Sequence, residues 1–374
     1  MRLILTNGKK KVGHFLAAYY INMYICTALL VSCINTFLHV ILSTAKELVI
    51  SRCNMRKFFF PLIALTMAAC SEKDVQCDAS ITPYRDGKQC AISFTYDDGM
   101  LCQYTDVAPE LEKRGFRGTF WIIGANMDKD EPGYPWMTWD QVADLAKRGH
   151  EMSNHTWTHP SLPSLTTEEV KQELQHCDSV LEAVTGKKPI TLAYPYNAMS
   201  PEVVALCEEG RVGTRTYQVG HGQVESHSTL ENMSAWLNDL LKTGEWGVTM
   251  THGTTYGWDK WDDPSVLYQF YDVVKAQEDS VWVGTFAEVA AYLKERDAAQ
   301  VEVSVAKHEV TVSVTHSLDA SLYQEPLTVS LKSEDWKDKN ITAEQEGQSV
   351  PVINRGNELL VNVKPGENPL TLHW

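Results

Sequence analysis

Positive charge is scarce over most of this sequence. Residues 70–374 carry 25 Lys and Arg against 47 Asp and Glu, which gives a net charge of −22. A nucleic-acid-binding protein must offer a cationic surface to the phosphates, so this composition argues against a nucleic-acid partner. The chain also shows no internal repeat and no low-complexity tract. None of its nine cysteines stands in the Cys-x-x-Cys spacing of a zinc site.

The overall composition is that of a globular protein. Hydrophobic residues make up 44% and charged residues 22% of the 374 residues, a length that suits two domains. Cys77 and Cys90 could form a disulfide in an oxidising compartment. Cys177 lies on the apolar face of a predicted helix, and we interpret it as a small core residue.

The first 69 residues have the opposite charge balance, with 8 Lys and Arg against 1 Glu, or +7. Residues 15–44 contain no charged Lys, Arg, Asp or Glu and are long enough to span a bilayer. A second apolar block, residues 58–67, follows Arg56-Lys57 and ends in Ala68-Ala69-Cys70. These are the three parts of a signal peptide.

The second block resembles a bacterial lipoprotein signal, which implies cleavage before Cys70 and attachment of lipid to it. The protein would then be anchored in a bacterial cell envelope, in the periplasm or at the cell surface. A simpler alternative is that Ala-Ala-Cys only ends an apolar run. Two export signals in series are unusual, so residues 1–54 are interpreted as a mis-called extension, with translation starting at Met55, or as a membrane helix. Residues 55–69 are then the signal peptide.

The remaining chain divides into three parts. Residues 70–87 are predicted to be a tether. Residues 88–297 alternate strand and helix patterns, which predicts a parallel sheet covered by helices, closed or nearly closed as a barrel. Residues 298–374 contain short period-2 runs separated by turn residues, which predicts a small antiparallel, sandwich-like domain. It could bind sugar, or serve only in packing and spacing.

Three motifs fall at predicted strand ends of the barrel, the edge where such barrels carry out chemistry. Asp97-Asp98-Gly99 follow an alternating strand and could form a plain turn or an acid–base and metal pair. His155 and His159 stand four residues apart, so they could share one metal ion. His252 ends a later strand and could be a catalytic acid or an ordinary loop histidine.

In this order, "TYDDG", "NHTWTHP" and "THG" resemble the polysaccharide deacetylase family, carbohydrate esterase family four, over about residues 88–296. The resemblance implies a distorted (β/α) barrel of about seven strands and a divalent metal, usually zinc and sometimes cobalt or nickel. It implies Asp97 as the general base and His252 as the general acid. Asp98, His155 and His159 would ligate the metal, and the backbone N–H of Tyr196 would help hold the oxyanion.

The implied activity is hydrolysis of acetyl groups from a polysaccharide. The substrate would be an N-acetylglucosamine-type glycan, or an O-acetylated plant polysaccharide. Trp258 near the mouth of the site could stack on sugar rings, and Trp157 could line the pocket or support the ligands. The alternatives are a glycan-binding lipoprotein on a decayed deacetylase scaffold, and metal-free amide hydrolysis. The sequence says nothing about the oligomeric state.

Two positions depart from the family pattern. The family's third motif begins with an arginine that orients the catalytic aspartate, but here Ala193 occupies that position, in Ala193-Tyr194-Pro195-Tyr196. Without a nearby cation, Asp97 would hold its proton more readily. Another residue could substitute, and Arg215 is a candidate that nothing in the sequence supports. The aspartate that tunes the catalytic histidine is not located, although Asp239 is one candidate.

Overall fold

The structure is a computed structural model that describes residues 77–337 and 339–374. The apolar blocks, residues 1–54 and 55–69, and the lipidation candidate Cys70 therefore lie outside the described residues. Within the described part, none of the helices has the length and apolar character needed to cross a membrane.

Strands and helices alternate from residue 90 to residue 298, as the sequence predicts. The strands are β2 (Cys90–Ser93), β3 (Thr95–Tyr96), β4 (Thr119–Ile122), β5 (Glu151–Asn154), β6 (Thr191–Ala193), β7 (Gly213–Arg215), β8 (Val219–Gly220), β9 (Trp246–Met250) and β10 (Val281–Val283), after a first strand β1 (Asp78–Ile81). The helices are α1 (Ala108–Lys113), α2 (Trp139–Lys147), α3 (Thr167–Thr185), α4 (Pro201–Glu208), α5 (Leu230–Thr243), α6 (Ser265–Lys275) and α7 (Phe286–Ala298).

The parallel strands form two sheets that share one bent strand. One sheet has the order β3-β4-β5-β6-β7, and the other has the order β10-β2-β9-β8. Because β2 and β3 are consecutive along the chain, and Tyr96 pairs with Thr251 just after β9, the two sheets continue into each other. Strands β7 and β8 do not pair with each other among the described strands, so the barrel is open between them.

All residues from Cys90 to Met100 are buried, although alternating polarity usually indicates a half-buried strand. Helices cover the outer face of the sheet. They therefore shield Ile92, Phe94 and the polar residues between them from solvent. The small hydroxyl residues satisfy their polar groups inside the barrel. Ser93 donates to the Gly284 carbonyl at 2.9 Å, and Thr95 donates to the Thr249 carbonyl. Burial on both faces is the normal state of strands in a helix-covered parallel sheet.

Helix α3 shows why the helix predictions hold. Thr166 caps its first turn and exchanges hydrogen bonds with Glu169, which is the predicted capping box. The predicted apolar stripe is buried at Val170, Leu174, Cys177 and Leu181. Cys177 is fully buried, as predicted for a core residue. Cys77 and Cys90 are free thiols, so the disulfide that they could form is absent from the structure.

The C-terminal region is a β-sandwich, as predicted. Its strands are β11 (Gln300–Ala306), β12 (Glu309–Thr315), β13 (Leu327–Lys332), β14 (Thr342–Gln345), β15 (Gln348–Val350), β16 (Val352–Asn354), β17 (Glu358–Val363) and β18 (Leu370–His373). The two sheets have the orders β1-β13-β17-β16 and β11-β12-β18-β14-β15.

Strand β1 corrects one sequence prediction. Residues 78–81 lie in the segment predicted to be a tether, yet they pair antiparallel with β13, from Asp78 opposite Lys332 to Ile81 opposite Val329. The backbone groups at the edge of β13 would otherwise lack partners, and β1 supplies them. The sandwich is therefore built from both ends of the described chain.

Candidate active site

Two residues with a left-handed backbone conformation form the turn that follows Asp97 at the end of its strand. Asp98 has φ of 81° and Gly99 has φ of 82°. Glycine suits position 99 because of its positive φ, and a side chain there would also displace the Met127 methyl, which would lie 2.7 Å away. The Asp97 N–H donates to the Thr251 carbonyl at 2.9 Å, which fixes this turn against the end of β9. The motif is thus a turn, and it also places both carboxylates at the edge of the barrel.

Arg215, at the end of β7, holds Asp97. Its two terminal nitrogens donate to the two Asp97 carboxylate oxygens at 2.6 and 2.5 Å, and one also donates to the Thr95 hydroxyl at 2.9 Å. Arg215 and Asp97 are both 2% exposed. Burial alone would raise the pKa of Asp97, but the charge and hydrogen bonds of Arg215 outweigh it and lower the pKa to about 2. Asp97 is therefore ionised at neutral pH.

The pair of Arg215 and Asp97 shows which cation holds Asp97 when Ala193 occupies the position of the family's arginine. Ala193 is fully buried on β6, and Arg215 stands directly beside it on β7 in the register of the two strands. An arginine from the neighbouring strand therefore supplies the cation that the motif position lacks.

Asp98, His155 and His159 bring three ligand atoms together at the same edge. The His155 Nε2 lies 3.2 Å from the His159 Nε2 and 3.5 Å from the Asp98 Oδ1, and the His159 Nε2 lies 3.8 Å from that oxygen. Tetrahedral zinc with bonds of about 2.0–2.1 Å keeps its ligand atoms about 3.3 Å apart. Asp98 Oδ1 is buried without a hydrogen-bond partner among the described residues. The three residues therefore fit a single metal ion.

The tautomer of His155 suits this role. Its Nδ1 lies 2.9 Å from the Ala193 carbonyl, which can only accept, so this nitrogen carries the proton. The Nε2 is then left with a free electron pair that faces Asp98 and His159. Burial lowers the pKa of His159 to about 4. Neutral imidazoles are the form that binds metal.

His252 lines the same cavity. Gln103 joins the strand ends, because its side-chain N–H₂ donates to the carbonyls of Asp97 at 2.5 Å and His252 at 2.9 Å. Trp258 contacts the His252 ring edge-on, with centroids 4.8 Å apart, and is 48% exposed. Asp239 does not tune His252. It pairs with Lys242 on α5 and lines a different, larger cavity of about 680 Å³ that contains none of the predicted site residues.

Tyr196 and Trp157 have different positions. Tyr196 is 69% exposed, has φ of 58° and places its ring 4.6 Å from the ring of His159. A left-handed backbone conformation costs free energy at a tyrosine, and residues in such conformations concentrate at functional sites. Trp157 does not line the cavity. Its ring stacks on His176 at 3.8 Å and covers Gly124, so it packs behind the histidine segment.

The cavity has a volume of about 390 Å³ and collects most of the predicted site residues. It is lined by Asp97, Asp98, His155, His159, Tyr194, Tyr196, Asn197, Met250, His252 and Trp258. The cavity thus brings together a carboxylate, three side chains that could hold a metal ion, and a further histidine. These are groups that metal-assisted hydrolysis would use. Sequence reasoning missed Gln103 and gave no support to Arg215. For Arg215, the only signal in the sequence was that the motif lacks its arginine, so that another arginine could take its place.

Comparison with known proteins gives the family. Residues 84–212 match the family model described as polysaccharide deacetylase, which confirms the resemblance carried by the motifs. This part of the chain is therefore similar to a polysaccharide deacetylase domain. The match covers Asp97, Asp98, His155 and His159 and ends before β9, which precedes His252.

Individual relatives are distant, and the chain spans less than two thirds of the length of the curated relatives that it matches. A gellan lyase from Bacillus sp is 25% identical over 341 residues, which cover 79% of this chain and 13% of that protein. A peptidoglycan-N-acetylmuramic acid deacetylase from Bacillus subtilis is 27% identical over 119 residues, 32% of this chain and 24% of that protein. The solved Xyl-CE4 domain of a multidomain xylanase from the hindgut metagenome of Trinervitermes trinervoides is 18% identical. It has a TM-score of 0.41 and covers 54% of this chain and 89% of that one.

Proposed function

We propose that this protein is a metal-dependent hydrolase that removes acetyl groups from a polysaccharide. The observation that carries the proposal is the position of an ionised, arginine-paired Asp97 beside three metal-ligand atoms, at one edge of a polysaccharide deacetylase domain. We propose N-acetylglucosamine-type glycan as the substrate, with O-acetylated polysaccharide as a variant that the same site could serve. Zinc is the proposed metal.

The proposed reaction divides the two adjacent carboxylates between two roles. When bound by Asp98, His155 and His159, a divalent metal supplies a Lewis acid that polarises the acetyl carbonyl and lowers the pKa of water. Asp97 takes the proton of the attacking water. The low pKa of Asp97 makes it a weak base. The ion pair that lowers this pKa also keeps the carboxylate ionised and fixed in orientation.

The other residues act on the carbonyl and the leaving group. The backbone N–H of Tyr196 donates to the carbonyl oxygen as negative charge develops on it. The bond between the acetyl carbon and the sugar nitrogen then breaks. His252 gives a proton to that nitrogen, so that an amine departs and acetate remains. The exposed face of Trp258 offers a stacking surface for a sugar ring at the mouth of the cavity.

Acetate release tests the proposal directly. Purified full-length protein in detergent, loaded with zinc, is incubated with chitin oligomers, peptidoglycan and acetylated xylan, with chelated protein and Asp97→Asn as controls. Release that disappears in both controls supports the metal-dependent deacetylase and identifies the polymer. If no polymer releases acetate although zinc binds stoichiometrically, the alternative of a glycan-binding protein is favoured. Release that survives chelation would favour metal-free hydrolysis.

We also propose that the protein is anchored in a bacterial cell envelope through lipid on Cys70. The sequence around Cys70 supports this, although that residue lies outside the described structure. Expression of wild-type protein and Cys70→Ser in bacteria, followed by membrane fractionation and labelling with a radioactive fatty acid, tests it. Wild type should be labelled and Cys70→Ser should not be. Equal labelling of the two proteins would contradict the anchor.

A further inference from the structure

One carboxylate outside the proposed reaction contacts the segment between the two histidine ligands. Glu173 lies on α3, and its Oε2 accepts the backbone N–H groups of Trp157 at 2.9 Å and Thr158 at 2.7 Å. Its Oε1 accepts the Thr158 hydroxyl at 2.6 Å. A single side chain therefore binds two of the three residues that lie between His155 and His159.

This segment needs external support because its backbone is strained. Thr156 has φ of 67° and His159 has φ of 62°, in the left-handed region that few residues other than glycine adopt and that β-branched residues such as Thr156 avoid. Such conformations persist only where the surroundings impose them. At one end, the Asn154 side chain accepts the Thr156 N–H at 2.6 Å, and the Thr156 hydroxyl accepts the His159 N–H at 3.0 Å.

The middle of the segment has further restraints, because the Thr156 carbonyl accepts the Gly124 N–H at 3.2 Å and the Trp157 ring stacks on His176. The Trp157 carbonyl accepts the Ala125 N–H at 2.8 Å, which ties the segment to the turn after β4. The Trp157 and Thr158 N–H groups point the other way, toward α3. Ionised acceptors form stronger hydrogen bonds than neutral ones, so the Glu173 carboxylate is well suited to holding two adjacent backbone donors.

We propose that Glu173 is a positioning residue that sets the affinity of this site for its metal. This inference rests on the proposed function, since it takes His155 and His159 as ligands. Without the carboxylate, two backbone donors lose their partner and the segment can relax toward negative φ. The His159 Nε2 would then leave its position 3.2 Å from the His155 Nε2. Residues that orient metal ligands typically change metal affinity by 10–100-fold when they are removed.

The hydrogen-bond pattern distinguishes two substitutions at this position. Both backbone N–H groups donate to the same oxygen, Oε2. Glu173→Gln can place its amide oxygen there and keep both bonds, and its NH₂ can donate to the Thr158 hydroxyl. Glu173→Ala removes all three bonds. Thr158→Val is a milder variant that removes only the bond to Oε1, at an exposed residue.

The test measures zinc affinity of full-length protein by competition with a chromophoric chelator. We expect a loss of about 10–100-fold for Glu173→Ala, a smaller loss for Thr158→Val, and an affinity close to wild type for Glu173→Gln. Glu182→Ala is the matched control, because it removes an exposed glutamate from the same helix and should leave zinc affinity unchanged.

A second measurement needs no metal. Hydrogen exchange at the Trp157 and Thr158 amides of the metal-free protein should be faster in Glu173→Ala than in wild type or Glu173→Gln. Wild-type zinc affinity in Glu173→Ala would overturn the inference while leaving the proposed function intact. If wild type binds no zinc, or if Asp98→Asn does not weaken its binding, the proposed function fails and the inference fails with it.

Discussion

Arg215 is a buried cation that has one carboxylate partner, and its loss should be costly. Removing one member of a buried pair leaves the other charge unpaired, which typically costs about 3–5 kcal/mol. We therefore expect Arg215→Met to lower the free energy of unfolding by several kcal/mol, measured by urea denaturation. It should also raise the pKa of Asp97, because the main interaction that opposes the effect of burial would be lost, and acetate release should fall at acidic pH first.

A double variant separates the pair from general packing. Asp97→Asn removes the charge that Arg215→Met leaves unpaired, so the double variant should be more stable than the sum of the single effects predicts. Additive losses would contradict a direct ion pair. Ala193→Arg in otherwise wild-type protein should be destabilising. It would place a second guanidinium in a fully buried position next to Arg215.

The sequence predicted the acidic pair and the histidines because each occurs in a contiguous motif. Arg215 was only an unsupported candidate, for a physical reason. Strand β7 has three residues, Gly213–Arg215, which is too short to show a period-2 pattern. The pairing of β7 with β6 that carries Arg215 to Asp97 depends on tertiary structure. For Trp157 the sequence left two alternatives open, and its contact with His176 behind the histidine segment favours support of the ligands over a place in the pocket wall.

The two tryptophans near the histidines should respond differently to substitution. Trp258 is 48% exposed at the cavity, so Trp258→Ala should raise KM for a polymeric substrate, with little change in stability. Trp157 packs against Gly124 and His176, so Trp157→Ala should lower the free energy of unfolding by about 3–5 kcal/mol. Steady-state kinetics and urea denaturation of both variants check this. The reverse pattern would place Trp157, not Trp258, at the substrate.

At the scale of elements, the turn after β4 packs closely against the histidine segment after β5. A side chain at Gly124 would lie 2.2 Å from the Trp157 ring. Gly124→Ala should therefore displace the ring and cost about 1–3 kcal/mol of unfolding free energy, measured by urea denaturation. In the Trp157→Ala background the same substitution should cost much less. An equal cost in both backgrounds would show that the ring is not the obstacle.

Element predictions succeeded where local patterns are strong. Helix α3 has its capping box and apolar stripe in the sequence, and both are found in the structure. Helix α5 was not predicted, although Thr229 caps it and Met233, Leu237 and Leu240 are buried at helical spacing. The signal was present there and was overlooked. Strand β8, with only two residues, offers no comparable signal.

At the scale of the molecule, the barrel and the sandwich share buried surface that no local pattern reveals. Leu322 and Tyr323, from the sandwich segment between β12 and β13, pack on a cluster that includes Trp121 and Phe286 of the barrel. A four-residue segment, Asp78–Ile81, completes one sheet of the sandwich from the other end of the chain. Removal of residues 299–374 would expose this apolar surface. The sandwich therefore contributes to the packing of the barrel, whether or not it also binds glycan.

One buried carboxyl connects the two parts and should make stability depend on pH. Glu295, on α7, is fully buried, and its Oε2 lies 3.1 Å from the Nε2 of His316 in the sandwich. Its Oε1 accepts the Glu325 N–H at 2.8 Å, and the Glu325 side chain forms an ion pair with Arg85. Burial raises the pKa of Glu295 to about 7, although the hydrogen bond and charge of His316 act to lower it.

A raised carboxyl pKa makes the folded protein hold a proton that the unfolded chain releases. Below about pH 4.5 the carboxyl is protonated in both states and contributes no pH dependence. Between about pH 4.5 and 7 the free energy of unfolding should fall as pH rises, by about 3 kcal/mol at most. Urea denaturation across this range measures the fall. Glu295→Gln keeps the shape of the side chain and cannot ionise, so its profile should be flatter than that of wild type by this amount. Parallel profiles for the two proteins would show that Glu295 ionises normally in the folded state.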